Sequence, residues 1–80
     1  MLTVQEISII EPYKLRAKLS NGVEGIFDVS PYLHKGIFTQ LQDIEYFQRV
    51  RINFCGICWP NGQDFSADTI EYDIKQTTPL

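Results

Sequence analysis

Tyr13-Lys14-Leu15-Arg16-Ala17-Lys18-Leu19-Ser20-Asn21-Gly22-Val23-Glu24-Gly25-Ile26-Phe27-Asp28-Val29 is the stretch on which the fold turns. Tyr13 to Leu19 alternates, with Tyr13, Leu15, Ala17 and Leu19 on one face and Lys14, Arg16 and Lys18 on the other. Val23 to Val29 alternates too. Period-two patterning of this kind predicts two half-buried strands. A two-residue Asn21-Gly22 loop would set Leu19 against Glu24 and Leu15 against Asp28, placing carboxylates on the apolar face. A three-residue Ser20-Asn21-Gly22 loop pairs Leu19 with Val23, Leu15 with Phe27 and Tyr13 with Val29. It also sets Lys18 opposite Glu24 and Lys14 opposite Asp28. A slip of one residue inverts every side chain, so the second register is expected. Gly22 then takes the left-handed position that closes such a loop.

Working outward, Thr3 to Ile10 predicts a preceding strand that ends at Glu11-Pro12. After the hairpin, Ser30-Pro31 reads as an N-cap followed by the first residue of a helix that Gly36 keeps short. Ile37 to Leu41 reads as a turn or a second short piece. Asp43 is expected to cap a further short helix through Arg49, with Ile44 and Phe47 facing inward. Val50, Ile52 and Phe54 alternate with Arg51, Asn53 and Cys55, predicting another strand. A tight turn at Gly56-Ile57 would bring Phe54 opposite Trp59. Pro60-Asn61-Gly62 marks the next turn. Ser66 is the expected N-cap of a last helix, Ala67 to about Asp73, with Asp68 in its first turn. The tail 76–80 is expected to fray. The sum is one α+β domain over 1–80: a small antiparallel sheet of four to five strands with two or three short helices on one face.

The 80 residues allow a single domain with a limited core. Hydrophobic residues at 44% and charged residues at 21% argue against disorder. The net charge of −3 opposes non-specific binding to a phosphate backbone, so nucleic acid is not an expected partner of the isolated chain. No apolar run reaches the length of a membrane span, and the N-terminus lacks the pattern of a signal peptide. A cytoplasmic location is expected, and there two cysteines read as free thiols.

Several segments, in order, resemble the family labelled domain of unknown function 2442, a group of small bacterial proteins. They are the Asn21-Gly22 hairpin, Gly25-Ile26-Phe27-Asp28-Val29, Gly36-Ile37-Phe38 leading to Leu41, and Phe47. The most specific is Trp59-Pro60-Asn61-Gly62-Gln63-Asp64-Phe65-Ser66-Ala67-Asp68-Thr69-Ile70. The resemblance implies a compact α+β domain with a small antiparallel sheet. It implies a gene layout similar to toxin–antitoxin pairs, in which a second small protein is encoded alongside. Some longer relatives carry a helix-turn-helix domain after this one. No catalytic residue comes with the resemblance, and Cys55 and Cys58 lie outside the shared pattern.

Few residues offer chemistry. Cys55-Gly56-Ile57-Cys58 has redox-motif spacing, but no helix is predicted to follow and stabilise a thiolate. A structural zinc site needs four ligands and a second cysteine pair is missing, so two thiols beside a hairpin turn is the simpler reading. His34 is the one histidine, a residue type that titrates near neutrality and suits a general base. Its expected place at a helix C-terminus equally suits dipole complementation. Asp64, Asp68, Glu71 and Asp73 cluster near the C-terminus without the calcium-loop pattern. A turn-fixing role for Asp64 and a dipole role for Asp68 account for both. Lys14, Arg16 and Lys18 form a basic stripe whose expected neighbours Glu24 and Asp28 cancel much of its field. Phe27, Phe47, Phe54, Trp59 and Phe65 are core candidates.

The leading expectation is a protein-interaction or regulatory module, antitoxin-like toward a neighbouring small protein. Its contact would use exposed aromatics or a sheet edge, with a protein partner or a second copy. No cofactor is expected, and an enzyme is the less favoured class. The runner-up is a small-ligand-binding protein or enzyme using the Trp59–Asp68 turn region: Trp59, Asn61, Asp64 and Asp68, with His34 nearby. A third reading is DNA binding as a dimer through the basic stripe.

Overall fold

A computed structural model describes residues 1–77. The opening segment forms a three-stranded antiparallel sheet of β1 (Val4–Glu11), β2 (Lys14–Leu19) and β3 (Glu24–Asp28), in that spatial order. The β2–β3 register is the expected one: Leu15 faces Phe27, Lys14 faces Asp28 and Lys18 faces Glu24. Leu19 donates its N–H to the Val23 carbonyl, and Val29 donates to that of Tyr13, both at 2.8 Å. Gly22 closes the loop at φ +89°. Leu15, Ala17, Leu19, Phe27 and Val29 are all buried on the inner face.

The charges on the outer face pair differently from the expectation. Asp28 turns away from Lys14 because its Oδ1 accepts the Ser30 N–H at 2.9 Å, so Lys14 pairs with Glu11 at 3.3 Å. Arg16 reaches diagonally to Glu24, and Lys18 crosses to Glu6 on β1. The stripe is neutralised, but largely by other carboxylates. β1 itself is irregular. Its pairing with β2 slips between Val4 and Glu6 and again between Ile9 and Glu11, leaving Gln5 and Ile10 as extra residues. Each slip shifts the alternation by one, so Val4, Ile7 and Ile9 stay on the inner face while Glu6, Ser8 and Glu11 stay outside.

The second half corrects the expectation of one larger sheet. β4 (Arg51–Ile52), β5 (Gly56–Cys58) and β6 (Asp64–Ser66) form a separate three-stranded antiparallel sheet. The β4–β5 turn falls earlier than predicted. Asn53 donates its N–H to the Gly56 carbonyl, and its Oδ1 accepts the Cys55 N–H. Ile52 therefore faces Ile57, and Phe54, expected in the core opposite Trp59, sits at the tip with 79% of its surface exposed. Gly56 is needed in the strand rather than in the turn. A Cβ there would lie 2.0 Å from the backbone oxygen of Phe65 on the neighbouring strand.

The segments between and after the sheets are helical. Ser30–Tyr32 is a single 3-10 turn whose cap position is Val29, not Ser30 as expected; the Ser30 N–H is instead accepted by Asp28 Oδ1 as the first N–H of the turn. A second 3-10 stretch covers Gly36–Gln42. Asp43 caps α1 (Ile44–Phe47) through the N–H groups of Glu45 and Tyr46. In this one-turn helix Tyr46 and Phe47 face inward, whereas Ile44, expected inside, is 41% exposed. Ser66 caps α2 (Ala67–Thr77), its Oγ accepting the Thr69 N–H at 3.2 Å. α2 continues past the expected Asp73, and the remainder of the expected frayed tail lies outside the described residues. Ala67, Ile70 and Ile74 form its buried stripe. It sits so close on β3 that a Cβ on Gly25 would meet Ile74 Cγ2 at 2.7 Å.

Aromatic rings tie the two sheets together. Phe65 on β6 contacts Phe27 of the first sheet at 5.0 Å between centroids, and Tyr32, Phe38 and Trp59 at 4.9, 4.9 and 5.9 Å. Trp59 carries the contact on to Phe47, and Phe47 to Tyr13.

Candidate functional site

The Trp59–Asp68 region is built as a brace. Trp59 is buried, and its indole Nε1–H donates to the Phe47 carbonyl at 2.8 Å. The Pro60-Asn61-Gly62 turn is closed by the Trp59 N–H on the Gln63 carbonyl. Gln63, which is 1% exposed, places its amide inside. Its Nε2 donates to the Ile37 carbonyl and to Gln40 Oε1, and its Oε1 accepts the Tyr46 hydroxyl at 2.6 Å. The same hydroxyl accepts the Asn61 N–H, and Asn61 Nδ2 donates to Gln40 Oε1. Among the described residues no buried side-chain nitrogen or oxygen lacks a partner. A network of this kind orients a turn, and its buried polar side-chain groups are already partnered.

The other residues singled out from sequence lie at the surface. His34 is exposed between the two 3-10 segments, Asp64 is exposed on β6, and Asp68 is exposed in the first turn of α2. The turn is held by Gln63 and Asn61, and the Asp64 carboxylate takes no hydrogen bond among the described residues. Cys55 is exposed in the β4–β5 turn and Cys58 is half-buried on β5 opposite Arg51, so they do not flank a shared tip. Among the described residues no three His, Cys, Asp or Glu side chains gather as a metal site requires.

Two adjoining clefts, each about 210 Å³, run instead along β1. The first is lined by Ile7, Ser8, Ile9, Leu15, Gln48 and Val50. The second continues past Ile9 and Gln48 to Ile10, Tyr13, Ile44 and Phe47. Their origin is local. Ile7 and Ile9 belong to the inner face opposite Ala17 and Leu15; on this outer strand of the sheet, where β4 also approaches, Gln48 and Val50 line the cleft with them. The bulge at Ile10 turns a second isoleucine to the same rim, and α1 adds Ile44. Ile9, Ile10 and Ile44 are 37%, 43% and 41% exposed. At the corner Tyr13 has φ 67°, an uncommon conformation for a non-glycine residue, held by its hydroxyl on the Gln42 carbonyl and its ring edge against Phe47. The doubled Ile9-Ile10 before Glu11 was the available sequence signal, since regular alternation cannot bury both. A third, more open cleft of about 430 Å³ is lined by Met1, Leu2, Ser20, Asn21, Asp68 and Glu71. Asn21 Nδ2 donates to Glu71 there at 2.6 Å.

The electrostatics are uneven around the fold. Lys14, Arg16, Lys18 and Lys75 each pair with a glutamate, and Lys35 lies 5.6 Å over the Tyr32 ring. Arg49 and Arg51 are exposed with no acidic partner among the described residues. Tyr32 donates its hydroxyl to Asp73 at 2.5 Å. Burial first, then that hydrogen bond and the carboxylate charge, push the phenol up to about 12.

Among the described residues no helix is long and apolar enough to cross a membrane. Comparison with curated proteins gave no match, and no solved structure matches. The sequence profile of the family described as "Protein of unknown function (DUF2442)" matches residues 4–76, nearly the full length of both sheets and α2. The chain therefore belongs to the DUF2442 family.

Proposed function

We propose that this domain is a protein-interaction module, regulatory rather than catalytic, and that it binds its partner along the β1–α1 cleft. The observation that carries this reading is the rim of three exposed isoleucines, Ile9, Ile10 and Ile44, over a floor of buried Leu15 and Phe47. Contiguous exposed apolar surface is what partner binding uses. The saturated hydrogen bonding of the Trp59–Gln63 turn supports a structural role for the most specific sequence segment. The neutralised basic stripe gives DNA little field to follow. In the antitoxin-like form of the reading, the partner is the small protein encoded next to this chain.

The test is binding between the purified domain and that neighbouring gene product. Association at micromolar concentration is expected. Ile9→Asp and Ile44→Asp should each weaken it at least about tenfold, through burial of an unpaired charge. Ile26→Asp is the control, because Ile26 is equally exposed at 41% but lies on the opposite, polar face of the sheet. Absence of binding, or equal loss in all three variants, would refute the reading.

A further inference from the structure

We propose that the Asn21-Gly22 turn is a site of spontaneous modification, at which water converts the Asn21 amide to an acid, while the fold protects the Asn61-Gly62 turn of the same sequence. An asparagine followed by glycine is open to attack on its own side chain, because glycine has no Cβ to shield its backbone nitrogen. The Gly22 nitrogen gives its proton to a base and bonds to Asn21 Cγ. The Cγ–Nδ2 bond breaks, and Nδ2 leaves as ammonia with a proton in exchange. Water then adds to either carbonyl carbon of the five-membered imide and breaks its bond to nitrogen, which recovers its proton. The products are aspartate, or isoaspartate with the chain routed through the side chain. Nothing is oxidised or reduced.

The two turns start alike. Both asparagines are exposed, and Gly22 and Gly62 have φ of +89° and +100°. The two glycine N–H groups donate to the Leu19 and Trp59 carbonyls at 3.0 and 3.1 Å. Reaction requires the side chain to leave its hydrogen bonds and swing onto the glycine nitrogen, so what holds it sets the rate. Asn61 Nδ2 donates to Gln40 Oε1, which also accepts Nε2 of buried Gln63. The Asn61 N–H is fixed by the hydroxyl of buried Tyr46. Moving Asn61 therefore disturbs buried groups. Asn21 Oδ1 accepts the Val23 N–H within its own loop at 3.1 Å, and Nδ2 donates to Glu71 at 2.6 Å. Among the described residues the Asn21 N–H makes no hydrogen bond, so this loop tip opens without uncovering a buried polar group. Asn21 also borders the cleft of about 430 Å³ shared with Ser20, Asp68 and Glu71, which admits the water.

The product differs in charge and in contacts. The bond to Glu71 loses its donor, and the new carboxylate faces that of Glu71, with Lys75 at 3.6 Å from Glu71 left to balance both. α2 thus loses its hydrogen bond to the β2–β3 loop. Isoaspartate also adds a carbon to the backbone of the loop whose length sets the β2–β3 register.

The test incubates the native full chain at mildly alkaline pH in heavy-oxygen water, then digests it with trypsin in ordinary water. Cleavage after Lys18, Lys35, Arg51 and Lys75 releases Asn21 and Asn61 in separate peptides. Mass spectrometry with fragmentation should find label entering at Asn21 at least about tenfold faster than at Asn61. In urea the two rates should converge, which assigns the difference to the fold. Equal rates in the native chain, a faster Asn61, or no label at Asn21 while the denatured chain converts would each overturn the proposal. Glu71→Ala should speed labelling at Asn21 and leave Asn61 unchanged; an unchanged Asn21 rate counts equally against it. Asn21→Asp reproduces the aspartate product and should melt below the parent. Asn21→Asp/Glu71→Gln, which exchanges donor and acceptor, should recover the loss.

Discussion

The Tyr46 hydroxyl donates to buried Gln63 and accepts from the backbone of Asn61, so one oxygen supports two otherwise unsatisfied groups. Tyr46→Phe should therefore cost about 1–3 kcal/mol, more than one ordinary hydrogen bond, as read by urea denaturation. Tyr32 gives a pH signature. Its phenol is held above the ordinary tyrosine value, at about 12. The unfolded chain thus releases this proton first as pH rises. The contribution is complete below about pH 10 and is lost between about pH 10 and 12. Tyr32→Phe should flatten that part of the alkaline loss of melting temperature relative to the parent. At the tip of the β4–β5 turn, Phe54→Ser should change stability by no more than about 0.5 kcal/mol, since the ring buries almost nothing. A large loss would show that Phe54 belongs to the core after all. These residues also mark where sequence patterns stop speaking. Gln63 reads as surface by its polarity, and only the arrival of Ile37, Gln40 and Tyr46 around it makes a buried position tolerable.

At the scale of elements, two close approaches set the geometry. α2 seats on β3 at Gly25, where a methyl group would press into the branched carbon of Ile74. Gly25→Ala should cost about 1–3 kcal/mol by overpacking. In the Ile74→Ala background the penalty should shrink, a coupling that a double-mutant cycle measures. Gly56→Ala is more severe. The obstacle is the Phe65 backbone rather than a side chain, so the β5–β6 pair must part. A loss of about 4 kcal/mol or more is expected, seen as failure to unfold cooperatively. The first hairpin was legible because its two faces differ sharply in polarity, and a slipped register would bury carboxylates. The β4–β5 hairpin was not. Its strands are two and three residues long, too short for alternation to choose between turn positions, and Phe54 looked like core because it is aromatic. The Asn53 side chain and the Phe65 carbonyl made that choice instead.

For the molecule as a whole, the ring cluster around Phe65 joins two small sheets that neither could stabilise alone. Exposed isoleucines line the clefts along β1, where we place the proposed partner site. The sequence by itself determined the first hairpin and its register, the caps of Asp43 and Ser66, and the Asn61-Gly62 turn. Each depends on side-chain alternation or on backbone groups within a few residues of one another. Only the tertiary structure decided that the strands divide into two sheets, that the turn motif is a buried brace, and that Ile9, Ile10 and Ile44 share a rim. Those outcomes depend on contacts between segments distant in the chain, where close approach and leftover surface, not local pattern, settle which groups are covered.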